Sequence, residues 1–463
     1  MSIPSSPTTP QPSRNRDAGL PEAPIQLDLA AAPPTVLGLR EQFTLWASLG
    51  VSLLIPATAV FVIQPRADLP QLSLPAVLTA IIAAVALGST MLALAAVPGT
   101  ATGAPTAAML RGLLGHRGSW VPTALNLVQC LGWAALEVYV IAEVATAMTT
   151  PAARPWWVLT AGVLATFMAV RPLRSVRIIR KYLMWLVLAA TAYLIVVLLR
   201  EGISTSAGTW DAFWPAFDII VTMPISWALL ASDWSRHSTS NRATALGTGL
   251  GYGLSCAAFF AIGVLAIAGR EQLAQTYSPS AFVASLLVLP VGALAVMLLA
   301  VDEVDEAFAN IYSTAVTAQN IAPRVDRRVL AVVVGAVATA LAAWLNLERY
   351  ESFLLLIGAV FLPLVAVLLT DWYIVRRIVG GRIGGGYDVN TRRRWHVGHV
   401  AAWAIGIAVY STVSPAQVPG WSSMWDRVAD GLPWLRPNIA SATLATIAVT
   451  ALSTIAVGVR RRG

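Results

Sequence analysis

Long apolar stretches limit this chain more than any other feature. They fall near residues 43–64, 73–97, 120–147, 155–171, 182–199, 212–232, 245–268, 288–318, 329–346, 352–373, 397–413 and 438–458. A hydrocarbon layer about 30 Å thick is crossed by about 20 apolar residues in a helix. A helix also satisfies its own backbone where no water can. The pattern predicts an all-α polytopic membrane protein with twelve transmembrane helices. Composition agrees: 57% of residues are apolar and 12% charged, against about 25% charged in a soluble domain. A soluble fold of this length could not hide so much apolar surface.

The net charge of +8 raises the question of nucleic acid, and its distribution answers it. With the amino terminus in the cytoplasm, only Arg66, Arg154, Arg200, Arg270, Arg349, Arg427 and Arg436 fall on the outer side. The other 24 of the 31 basic residues flank the cytoplasmic ends. That asymmetry sets both termini inside and turns the basic residues toward the anionic leaflet, with no nucleic acid as partner. Residues 1–38 are rich in Pro, Ser and Thr, lack the apolar core of a signal peptide, and are expected to form a disordered cytoplasmic tail. Only Cys130 and Cys256 occur, so a disulfide scaffold is not expected. Lys181 is the single lysine beside thirty arginines, which together with abundant alanine points to a GC-rich bacterial genome and a bacterial inner membrane.

Ionisable residues inside a bilayer are costly and mark function by default. Here they are Glu137 and Glu143 in the third span, Asp218 in the sixth, and Asp302, Glu303, Asp305 and Glu306 in the eighth. No Lys or Arg shares a span interior with them, so water, a transported cation or protonation must offset their charge. Two spans also read as interrupted: the first, with Ser48, Gly50 and Ser52 before Pro56, and the sixth, with Pro224 at its middle. Proline removes a donor and clashes with the carbonyl four residues back. Such backbone is tolerated at depth only inside protein or along a cavity. A packing kink and a substrate site both fit one such break; a matched pair five spans apart favours the site. Trp133 and Glu137 share one helix face, offering a stacking plane and a directional acceptor to a planar N–H-bearing heterocycle. A packing indole beside an interhelical carboxyl bond remains the alternative.

Several motifs coincide in order: TGAP at 102–105, Arg111, HRGSWVP at 116–122, LN at 125–126 and GW at 132–133; MPISW at 223–227 and DWSRH at 233–237; ANIYSTAVTAQNIAP at 309–323; and DWYIVRR at 371–377. Through them the chain resembles, over residues 40–378, the nucleobase:cation symporter-1 family of purine, cytosine, allantoin, hydantoin and hydroxymethylpyrimidine permeases. The MPISW form is most similar to the hydroxymethylpyrimidine and cytosine branch.

The resemblance implies a LeuT-like five-plus-five inverted repeat, residues 39–200 and 201–378, then a cytoplasmic loop at 379–395 and two additional C-terminal helices within 396–463. It implies a substrate site of Trp133, Glu137, Ser226, Trp227 and Asn310, with Glu137 where many members carry glutamine. It places a sodium site at the first-span carbonyls near Ser48 to Val51 and at two eighth-span hydroxyls. Val304 and Asp305 stand at those hydroxyl positions, so the coupling ion, H+ or Na+, stays open. Asp302, Asp305 and Glu306 are candidates for proton coupling, since crowded buried acids do not all ionise together.

Two registers of the eighth span are possible. Ala281–Val301 could cross and leave the acids as a cytoplasmic collar. Otherwise a short outer helix ends near Pro290 and the acids lie deep, which the resemblance favours. Asp233 and Arg236 suggest a cytoplasmic clamp. The glycine run 380–386 suggests a flexible loop, and His396 and His399 lack the partners of a metal site. The expected function is import of a nucleobase or related pyrimidine by cation symport, as a monomer, without a cofactor and without enzymatic activity. An amino acid, an amine, allantoin or hydantoin is the alternative cargo.

Overall fold

The computed structural model describes residues 33–66, 68–171, 174–200, 202, 208–268, 279–345, 347–380, 387–434, 436 and 439–460. Most of the expected tail (1–32), the glycine run beyond Gly380 and Arg461–Arg462 therefore lie outside the described residues. So do the side chains of the basic cluster Arg174–Lys181.

Helices lie within all twelve predicted stretches. The first span is α1 (Leu39–Leu49), α2 (Leu54–Ala57) and α3 (Ala59–Ile63), and the second is α4 (Leu74–Thr102). A short α5 (Thr106–Leu114) leads to α6 (Trp120–Ala147), α7 (Arg154–Val170) and α8 (Arg174–Arg200). The sixth stretch is α9 (Phe213–Ala228) with α10 (Ala231–Ser235), followed by α11 (Asn241–Ala268), α12 (Pro279–Leu287), α13 (Gly292–Ala318) and α14 (Arg327–Ala342). Next come α15 (Tyr350–Thr370), running through a π-turn at Asp371–Val375 into α16 (Arg376–Gly380). The chain closes with α17 (Val397–Val413), α18 (Trp421–Asp430) and α19 (Ala442–Arg460). Six helices are long and apolar enough to cross a bilayer, and the α1–α3 pair, bent by 47°, makes seven among the described residues. The acids of α13 and the brevity of α9, α14 and α17 keep those below that standard.

The distribution of polarity is that of a membrane protein. Ile82, Val128, Phe167 and Leu452 project outward from the helices, while Gln42, Gln129, Glu137, Asp218, Glu303 and Asn310 are buried. Helices α6 and α15 are central, whereas α7 and α19 present mostly apolar outer faces. The packing is closely reciprocal: α6 lies along α13, α4 along α11, α7 along α14, while α1 packs on α11 and α9 on α4. Between α7 and α14 the contact is made by glycines. A Cβ on Gly162 would collide with Thr339, and one on Gly335 with Thr166. Each threonine returns its hydroxyl hydrogen to the glycine carbonyl of its own helix, both at 2.7 Å. Small residues let backbones approach where lipid supplies no hydrophobic drive.

Two expectations, the Pro224 break and the lack of a carboxylate near His399, change on contact with the fold. The sixth span runs unbroken through Pro224, whose ring lies over Gly88 of α4 with no room for a Cβ there. The helix breaks five residues later, at Leu229–Leu230, so Pro224 serves packing. Asp233 accepts from the Thr106 N–H (3.3 Å) and Arg236 donates to the His237 ring (3.2 Å), with the guanidinium close enough to interact electrostatically with the Asp233 carboxylate. His399 does meet a carboxylate, Asp371, at 3.5 Å, and the same carboxylate takes Arg376 (2.9 Å) and Tyr387 (3.0 Å). The last group ties the end of α15 to α17 and, through His399 and the Leu113 carbonyl (2.8 Å), to α5.

Asp218 has a structural task. Its carboxylate accepts from Ser441 Oγ (2.6 Å), Ala442 N (2.8 Å) and Thr443 N (3.0 Å), the first amides of α19. A helix start leaves such donors without internal partners, and a carboxylate satisfies them. Asp218→Ala should cost about 1–2 kcal/mol, read as a lower melting temperature of the purified protein, with Asp218→Asn in between.

Residues 33–37 are strapped across the turn after α10. Val36 N and Leu37 N both reach the His237 carbonyl at 2.9 Å, and Thr239 N returns to Leu37 O at 2.9 Å. The His237 ring accepts from Arg236 at Nε2, which leaves Nδ1–H to donate to the Pro34 carbonyl (3.0 Å). Burial, and then the Arg236 guanidinium, hold this imidazole down from 6.5 to about 4. The unfolded ring therefore binds its proton more readily than the folded one. The stability contributed here is complete above pH 6.5 and lost as pH falls toward 4. Melting curves across that window should slope less steeply for His237→Asn than for the parent chain.

Candidate functional site

The first span opens at Gly50–Leu53 because Gly50 is pressed against α11, where a Cβ would run into Ser255 and the Tyr252 carbonyl. The opening frees amides that the helix would have used. Leu53 N donates to Glu303 Oε1, Ser52 Oγ donates to Glu303 Oε2 (3.3 Å), and Leu54 N donates to Ser52 Oγ (3.2 Å). The break at Leu229–Leu230 frees the Ser226 carbonyl, and Gln129 Nε2 of α6 supplies its donor at 2.6 Å. Each break is thus satisfied by a side chain from a facing unbroken helix, α13 for the first span and α6 for the sixth.

Between these breaks lies a small cavity lined by Leu49, Ser52, Trp133, Glu137, Ser226, Trp227, Tyr252 and Glu306, among others. Its volume, about 10 Å³, is that of one water by the same measure. Glu137 Oε1 accepts from Asn310 Nδ2 at 2.8 Å, and the same amide reaches the Glu306 carbonyl at 3.3 Å. The Glu137 carboxyl also lies within hydrogen-bonding reach of the Glu306 carboxyl. Trp133 Nε1 is buried without an acceptor. The two indoles are held edge-on by other rings: Trp227 by Trp46 (6.3 Å), Trp133 by Tyr350 (5.9 Å) and Phe353 (5.2 Å).

Of the expected substrate residues, Trp133, Glu137, Ser226 and Trp227 line this cavity directly, and Asn310 stands behind it, bonded to Glu137. Of the expected coupling residues only Glu306 lines it. Ser48 and Val51 flank the first break, where the Ser48 carbonyl accepts from Val51 N at 3.1 Å. Asp302 and Asp305 are buried on α13 outside the cavity wall. The eighth-span acids lie deep in the protein, and the preceding α12 stops at Leu287, before Pro290. Sequence reading passed over Gln129 and named Glu303 among the eighth-span acids without assigning it to the first-span break. Both were within reach: Gln129 lies four residues before Trp133, on its helix face, and Glu303 lies seven before Asn310.

A larger cavity of about 670 Å³ lies among Pro65, Asp218, Glu351, Val413 and Arg436. Its charges are largely matched: Arg66 pairs with Asp68, Arg436 with Asp426 (2.7 Å), and Asp218 caps α19. Two buried carboxyls and two indoles meet in the small cavity between the helix breaks, which makes it the candidate site.

Glu303→Ala would leave the Leu53 amide buried and unpaired, at a cost of about 1–3 kcal/mol. Glu303→Gln keeps the acceptor and should lose less. Thermal unfolding of both variants checks the order, and equal melting temperatures would show that the bond carries no weight.

Sequence comparison finds that the profile of a family described as permeases for cytosine/purines, uracil, thiamine and allantoin matches residues 38–424. No curated protein matches the chain in sequence. Among solved structures, the chain is similar to Mhp1, a nucleobase-cation-symport-1 family transporter, in a closed conformation with bromovinylhydantoin bound. That match has a TM-score of 0.70 at 17% identity, over 94% of this chain and 96% of the other. The inward-facing conformation of Mhp1 gives 0.69 at 18% identity, over 95% of each chain. A manganese transporter of Eremococcus coleocola gives 0.51 at 13% identity, over 92% and 95%. At these identities the likeness is one of fold.

Proposed function

The chain belongs to the permease family for cytosine/purines, uracil, thiamine and allantoin, a family of membrane transporters and not of enzymes, and on that premise we propose that it imports a nucleobase-like heterocycle by cation symport and alternating access. One observation carries the reading: two indoles and a pair of carboxyls converge on a buried cavity between two broken helices. Broken helices around a central polar site are how membrane carriers bind small solutes at mid-depth. Trp133 and Trp227 supply ring faces, Glu137 with Asn310 the directional contacts, and Ser226 a position beside the sixth-span break.

The reading takes all twelve stretches as crossings and the first ten as two inverted fives. The packing supports it. Exchanging spans one to five with six to ten turns the α1–α11 contact into α9–α4, and returns α4–α11, α6–α13 and α7–α14 to themselves. The Gly–Thr interlock of α7 and α14 is reciprocal in the same sense. So are the two side chains at the breaks, Glu303 from the eighth span and Gln129 from the third.

Coupling to H+ or Na+ is placed on the first-span break and α13, at Ser48, Val51, Asp302, Asp305 and Glu306. The carboxyls supply charge for either ion. The basic asymmetry of the loops supports both termini in the cytoplasm of a bacterial inner membrane, and the site is complete within one chain, as a monomer requires.

Cells expressing the protein should accumulate labelled cytosine, hypoxanthine or hydroxymethylpyrimidine. An uncoupler should abolish that uptake if protons drive it, and sodium removal if sodium does. Trp133→Ala and Asn310→Ala should each lower uptake about five- to thirtyfold, as expected for losing about 1–2 kcal/mol of contact. Uptake that survives both substitutions unchanged would refute the site.

A further inference from the structure

We propose that the loop before α17, where it lies against the start of α6, is a binding site for the headgroup of an anionic phospholipid. Arg117, Arg392, Arg393 and Arg394 hold the phosphate, and the indoles of Trp120 and Trp395 flank it. The site lies on the side that the loop charges assign to the cytoplasm, and it is independent of which solute is carried.

The loop is fastened in place. His116 N donates to the Arg393 carbonyl at 2.8 Å, and Arg117 N and Gly118 N share the Arg394 carbonyl at 2.9 and 3.1 Å. His396 N donates to the Leu114 carbonyl at 2.7 Å. Gly115 stands at the crossing with φ +93°, and a Cβ there would lie 2.6 Å from the Arg394 carbonyl oxygen. Glycine alone permits both the conformation and the approach. At the other end of the loop, Tyr387 donates to Asp371 at 3.0 Å, and its ring lies 3.9 Å from the Arg376 guanidinium. These contacts bring Arg117 beside three consecutive arginines that are far from it in sequence.

All four arginines are exposed. Among the described residues none of them pairs with a carboxylate. The one acid in residues 387–396, Asp388, accepts from Asn390 N at 3.1 Å. Uncompensated positive charge held on a fixed backbone calls for an anion. The neighbouring apolar groups say which kind. Trp120 and Val121 open α6, Trp395 and Val397 stand at the start of α17, and all four side chains are exposed. Tryptophan settles at headgroup depth, where one part of the ring is wet and the rest apolar. The arginines are thereby set at the level of lipid phosphates. A guanidinium presents a planar fork that matches phosphate oxygens, and the indoles and valines would cover the glycerol and the first acyl carbons. Anionic lipids of the cytoplasmic leaflet carry the complementary charge, whereas a choline headgroup adds a cation that the cluster repels.

Native mass spectrometry of the purified full-length protein, titrated in detergent with phosphatidylglycerol or phosphatidylcholine of the same acyl chains, tests this. Phosphatidylglycerol should bind about tenfold or more tightly than phosphatidylcholine. Replacing Arg392, Arg393 and Arg394 together by Gln should abolish that preference, and Arg117→Gln should weaken it. The control is glutamine at Arg171, Arg324 and Arg328, exposed arginines elsewhere on the same side. It removes the same charge and should keep the preference. Equal losses in the two triple variants would reduce the effect to the general charge of that side and overturn the proposal. Equal binding of the two lipids by the parent chain would do so too. Inorganic phosphate at millimolar concentration should leave the lipid bound; displacement by it would reveal a free-phosphate site instead and overturn the lipid assignment. Should the first triple variant not fold, the parent selectivity and Arg117→Gln decide.

Discussion

A backbone that opens inside a bilayer has to be answered by protein, because no water is at hand to do it. Everything distinctive in this structure follows from that requirement at two places. Glu303 answers the first span's freed amide, and Gln129 answers the sixth span's freed carbonyl. Both come from long helices that stay whole, α13 and α6, which run side by side. The openings are thereby fixed relative to those two helices, and the side chains one or two turns away on the same faces, Trp133, Glu137, Glu306 and Asn310, arrive together at one cavity.

The polarity of the remaining surface is a consequence of the same solvent. Threonines in several helices bond back to their own carbonyls, as Thr79, Thr166, Thr339 and Thr412 do, so that their hydroxyls do not face lipid unsatisfied. Where helices touch closely, glycine replaces bulk, and the α7–α14 contact makes this explicit with two glycine–threonine pairs.

Helix positions were legible in the sequence because apolar length is a one-dimensional property. The placement of Trp133, Glu137 and Trp227 on one cavity was legible because helical periodicity and motif order both pointed there. Pro224 misled. A proline announces a missing donor, but whether the helix breaks depends on what packs against the ring, and Gly88, far away in sequence, receives it. Asp218 looked like a functional intramembrane acid, yet its partner is the start of α19, more than two hundred residues on. The carboxylate near His399 was missed for the same reason, since Asp371 is brought to it by the meeting of α15 and α17. Long-range partners carry no local signal.

The small size of the central cavity has a consequence for the membrane that holds it. Among the described residues, the centre between the two helix breaks has the room of a single water and is walled by indoles and by carboxyls that bond to neighbouring protein. A cell maintaining an electrochemical gradient could carry many copies of a protein with so closely packed a centre without short-circuiting itself.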